Sequence, residues 1–64
     1  MSTSITEVDA AIARCLQFTD RTVGPEPKWF FTDLGAFQAV VDETRTWDQN
    51  AQDAFAILLQ EALK

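Results

Sequence analysis

The chain has 64 residues, with ten carboxylates against five Lys and Arg, and no histidine. A net charge of −5, its cations scattered over Arg14, Arg21, Lys28, Arg45 and Lys64, excludes the clustered positive surface that nucleic acid or an anionic membrane requires. Without histidine the commonest neutral-pH acid/base and metal ligand is missing, and a single cysteine excludes an intrachain disulfide.

A chain this short forms one domain, residues 1–64, near the lower limit at which a chain buries enough of itself to fold alone. Its 47% hydrophobic content lies outside the disordered range. An oligomer or a bound partner would relieve the tight stability of so small a core.

The first element is predicted by Ser4-Ile5-Thr6-Glu7, which fits a capping box: a Ser hydroxyl accepts from an early helical amide, and a Glu three residues on reaches back. Ile5, Val8, Ile12, Cys15 and Leu16 then recur on one helical face, so the first helix is expected over residues 5–18. Cys15 on that face reads as a small buried hydrophobe rather than a nucleophile.

Residues 19–28 hold Gly24, Pro25 and Pro27 among alternating charges, which is loop chemistry, because proline cannot donate to a helical ladder. Three consecutive aromatics follow, Trp29-Phe30-Phe31. They read either as the opening turn of a helix begun at Pro27 or as an extended segment before a cap at Thr32 or Asp33. Bulky aromatics are poor helix formers, so the later start is preferred and the second helix is placed at 33–44. Phe30, Leu34, Phe37 and Val41 form its expected core stripe.

Thr46-Trp47-Asp48-Gln49 resembles a second capping box, and the third helix is expected over 47–63. Trp47, Ala51, Ala54, Phe55, Leu58, Leu59 and Ala62 make its broad apolar face. The turn between the second and third helices is short, which predicts an antiparallel or steeply crossed helical hairpin. The fold class is therefore all-α, a small three-helix domain with a Gly/Pro loop at 19–28.

No catalytic constellation is present, so no enzyme is expected, and no cofactor, metal or small-molecule substrate. Asp42 and Glu43 are adjacent and point apart on a helix, and two glycines do not make a phosphate loop. A helix-turn-helix reader of DNA is disfavoured because the would-be recognition helix carries Asp48 and Asp53 where phosphates would lie.

The remaining signal is surplus apolar surface. If the second helix extended back over the aromatics, Trp29, Ala36 and Val40 would line a second stripe beside the core stripe, while Ile57 falls on the far side of the third helix. Either the second helix is central and both stripes are covered, or Trp29, Phe30, Phe31, Val40 and Ile57 form a contact patch rich in aromatic anchors. The second reading predicts a small acidic protein–protein interaction module that binds stoichiometrically as an adaptor, accessory subunit or inhibitor, its partner a foreign protein, a homodimer mate, or both. Two alternatives remain: a structural homo-oligomer with no foreign partner, and an acidic nucleic-acid mimic that blocks a nucleic-acid-binding protein. The segment Met1 to Glu7 lacks the cationic and apolar regions of a signal peptide, and no apolar run approaches membrane-spanning length, so the expected location is the cytoplasm.

Overall fold

The computed structural model describes residues 3–64; Met1 and Ser2, which open the segment scanned for a signal peptide, lie outside the described residues. The elements run α1 (Ile5–Gln17), β1 (Thr19–Arg21), β2 (Trp29–Phe31), α2 (Leu34–Thr44) and α3 (Gln49–Ala62). The three expected helices are present. The all-α expectation is corrected by a two-stranded antiparallel sheet that pairs Thr19 with Phe31, Asp20 with Phe30 and Arg21 with Trp29.

Helix α1 starts where the Ser4 hydroxyl accepts from the Glu7 amide at 3.2 Å. Its buried residues Val8, Ala11, Ile12 and Cys15 follow the spacing of one helical face. At its end the Thr19 hydroxyl donates to the Leu16 carbonyl at 3.1 Å, satisfying one of the acceptors that a helix terminus leaves open.

Residues 19–28 are thus not wholly loop. Within it, glycine and proline occupy only positions 24, 25 and 27, and the residues on either side can pair. Thr22 closes the sheet end of the loop, its amide donating to the Lys28 carbonyl at 2.9 Å and its hydroxyl accepting from the Lys28 amide at 3.2 Å. A strand of three residues is too short to show a period-two pattern, which hid it among the turn residues. The aromatic triplet is extended, and Asp33 caps α2 by accepting from the Ala36 amide at 3.0 Å.

Helix α3 begins later than the Thr46 capping box implies. The Thr46 hydroxyl turns back instead, donating to the Glu43 carbonyl in the last turn of α2 at 2.8 Å. Gln52 then reaches into the turn and donates to the Trp47 carbonyl at 2.7 Å. Asp48 takes the N-cap position by backbone geometry, and its carboxylate accepts from the Thr3 amide at 3.1 Å.

The centre of the fold is α1. Both α2 and α3 pack on it and make few contacts with each other. The core comprises Val8, Ala11, Ile12 and Cys15 of α1 with Val40 of α2 and Ala51 and Phe55 of α3. Laying two helices on one produces an elongated body of 43 × 21 × 15 Å. Its radius of gyration is 12.4 Å, against the ~10.7 Å of a globular chain of this length. Its accessible surface is 4564 Å², above the ~4,100 Å² typical of a folded monomer of this mass. Among the described residues no helix is long and apolar enough to cross a membrane.

Candidate interaction surface

Two amides place the aromatic strand. Those of Thr32 and Asp33 both donate to the Phe18 carbonyl, at 2.9 and 3.4 Å, which ties the junction of β2 and α2 to the end of α1. Within the strand, side chains alternate between the two faces of the sheet. Trp29 and Phe31 share one face with Thr19 and Arg21, whereas Phe30 stands on the other, across from Asp20.

On the first face Thr19 is buried, the Arg21 guanidinium lies 5.9 Å from the centre of the Trp29 ring, and Arg21 also donates to the Lys64 carbonyl at 2.9 Å. Trp29 is half-buried, and its indole Nε1 is enclosed without a hydrogen-bond partner. Phe31 sets its ring edge-to-face against Phe37 with centroids 4.9 Å apart, yet remains 51% exposed. On the second face Phe30 is 46% exposed. Large rings therefore meet water on both sides of one short strand.

The other two candidate residues lie on helices, Val40 on α2 and Ile57 on α3. Val40 is 1% exposed and so cannot serve as a contact residue. The face of α2 turned to the core is Phe37, Val40, Val41 and Thr44, a run at helical spacing that begins only after the cap. The expected stripe of Phe30, Leu34, Phe37 and Val41 ran one periodicity across a strand and a helix, and that error exchanged Leu34 with Val40. Ile57 is exposed at 61%, but it stands on α3, whose packing is against α1.

Leu34 is the residue that periodicity missed: it stands in the first turn of α2, three residues after Phe31, and is 57% exposed. The cap at Thr32 or Asp33 is legible in the sequence, but a stripe carried back across it to Phe30 keeps Leu34 on the core face. Leu58, expected in the core, is also exposed.

Elsewhere the surface offers less chemistry. A cleft of about 390 Å³ lies between α1 and the turn joining α2 to α3, lined in part by Glu7, Arg14, Glu43 and Trp47. Arg14 and Glu43 pair with each other at 2.8 Å. Cys15 is fully buried, and desolvation raises its thiol pKa against a smaller opposing effect of the Arg14 charge. A buried thiol of that kind is a packing residue, not a nucleophile. Among the described residues no three metal-ligating side chains gather.

Comparison of the chain with protein-family models, curated proteins and solved structures yields no match.

Proposed function

We propose that this chain is a non-catalytic protein–protein interaction module that works by stoichiometric binding, with β2 and the adjoining Leu34 as its contact surface. The observation that carries the reading is the exposure of Phe30 and Phe31 on opposite faces of one strand. Phe30 and Phe31 are half exposed, so leaving them in water forfeits roughly half of the ~1.5 to 3 kcal/mol that full burial of such a ring contributes, and a bound polypeptide recovers it. Aromatic side chains are also the type enriched as interface anchors.

Binding of purified interactors to immobilised chain tests the proposal. Phe30→Ser and Phe31→Ser should each lower retention at least about tenfold while the helical circular dichroism remains. Undiminished retention by both folded variants would refute it.

A further inference from the structure

We infer that the occupant of this surface is β2 of a second copy of the chain, paired antiparallel along its outer edge. The inference rests on the reading of β2 as a contact surface and names what it contacts.

Antiparallel pairs alternate between residues that exchange hydrogen bonds and residues whose backbone groups turn outward. The Thr22 amide donates to the Lys28 carbonyl and the Thr32 amide to the Phe18 carbonyl, which makes those pairs the bonded ones at the two ends of the ladder. By alternation Asp20 and Phe30 are bonded to each other. The N–H and C=O groups of Trp29 and Phe31 then point away from β1, and their amides have no partner among the described residues. The opposite edge of the sheet differs, since β1 packs on α1 and Thr19 is buried. The open template is the edge of β2.

A partner resting on one face of the sheet would leave half of the rings in water. A strand added at the edge reaches both faces, because its own side chains alternate in the same way. The segment that best matches this edge is the edge itself. With a two-fold axis through Phe30, Trp29 exchanges both backbone bonds with the partner's Phe31, and Phe31 does the same with the partner's Trp29. Phe30 meets the partner's Phe30 at the close, non-bonded spacing of about 4.5 Å between Cα atoms.

Every aromatic in that register stands opposite an aromatic. Lys28 falls across from the partner's Thr32, so no carboxylate opposes another in the seam, although each chain carries a net charge of −5. The arrangement is isologous and closed, and it turns a two-stranded hairpin, marginal by itself, into a four-stranded sheet. A seam of so few residues falls at the small end of specific interfaces, below about 1,200 Å², so the dimer dissociates on dilution.

Sedimentation equilibrium from about 10 µM to about 1 mM, a range in which weak associations titrate, reads the prediction directly. The mass should rise from 7.2 kDa towards twice that value. Phe30→Lys, which sets two cations face to face on the axis, should raise the dissociation constant at least about tenfold. Phe31→Pro removes an N–H that the hairpin does not use and should abolish the dimer with the helices intact. Hydrogen exchange adds a residue-specific readout: the Trp29 and Phe31 amides should gain protection with concentration, and the Asp20 and Phe30 amides should not.

A constant mass of 7.2 kDa overturns the inference, as does a dimer indifferent to both variants or protection at Trp29 and Phe31 that ignores concentration. A chain that stays single yet loses a purified interactor through Phe30→Lys overturns the second-copy seam alone and leaves β2 standing as a contact surface.

Discussion

The Phe31 and Phe37 rings meet edge to face at 4.9 Å, and this contact joins the exposed strand to the helix that follows it. The two residues differ in what lies behind them. Phe37 also packs against the core cluster, whereas Phe31 has water on its other side. Phe37→Ala should therefore cost ~2 to 4 kcal/mol of stability, and Phe31→Ala ~1 kcal/mol, close to the value of the ring pair itself. Urea unfolding of the two variants gives the comparison, and an equal or reversed order would show that β2 is held by something other than this contact.

Phe55 is the anchor of α3. It is 6% exposed and meets Trp47 edge to face at 5.9 Å, so its removal opens a cavity at the interface with α1. A chain of this length has ~3 to 10 kcal/mol of total stability, and a buried Phe→Ala change costs ~3 to 5. Phe55→Ala should leave the protein largely unfolded at 25 °C. Leu58→Ala, at a position 38% exposed, should cost less than ~1.5 kcal/mol. Thermal melts followed by circular dichroism separate the two, and a cooperative native-like melt for Phe55→Ala would contradict the packing described.

Gly35 lies in the first turn of α2 with a negative φ, and an added Cβ would meet only the Asp33 carboxylate, at an ordinary 3.6 Å. Neither a close backbone approach nor a left-handed conformation requires glycine there. Gly35→Ala should raise stability by ~0.5 to 1 kcal/mol, chiefly by restricting the unfolded chain. A loss of stability in urea titration would mean that the Ala36 amide bond to Asp33 is disturbed by the methyl group.

What the sequence made legible follows from the range of the forces involved. Ser4 and Asp33 act on amides three residues away, so the starts of α1 and α2 could be read locally. The face of α1 was legible for the same reason, since Val8, Ile12 and Cys15 are covered by whatever packs there. Thr46 misled because its hydroxyl had a second acceptor within reach, the Glu43 carbonyl, and took it. The sheet was hidden because its stability lies in pairing between residues far apart in the chain, such as Thr19 with Phe31, and in the Phe18 carbonyl that clamps Thr32 and Asp33. The exposure of Phe31 follows from the excess of aromatics over interior, whereas Phe30, counted in the core stripe as well as in the contact patch, is exposed because it belongs to β2 and not to α2. Val40 was misplaced because its helical phase could be fixed only once the strand had ended.

Asp48 supplies a pH-dependent contact between the start of the described chain and the start of α3. The Thr3 amide donates to its Oδ1 at 3.1 Å, and this bond is the main cause of a carboxyl pKa lowered below the ordinary value of 3.8. The sign is fixed by linkage: a group whose pKa is depressed in the folded state contributes stability that is present above the unfolded pKa and is lost as pH falls through the folded one. The contact should therefore hold at neutral pH and release in acid, below the range where free aspartates titrate. Carboxyl-carbon and amide chemical shifts followed from pH 7 to about pH 2 test this, with the Asp48 midpoint below 3.8 and the Thr3 amide moving in the same step. Asp48→Asn should keep the helix start, since the Asp48 side chain makes no capping hydrogen bond to α3, and abolish that step at Thr3. An Asp48 midpoint at or above the ordinary value, or a Thr3 amide that ignores the titration, would show that the segment is held by other contacts.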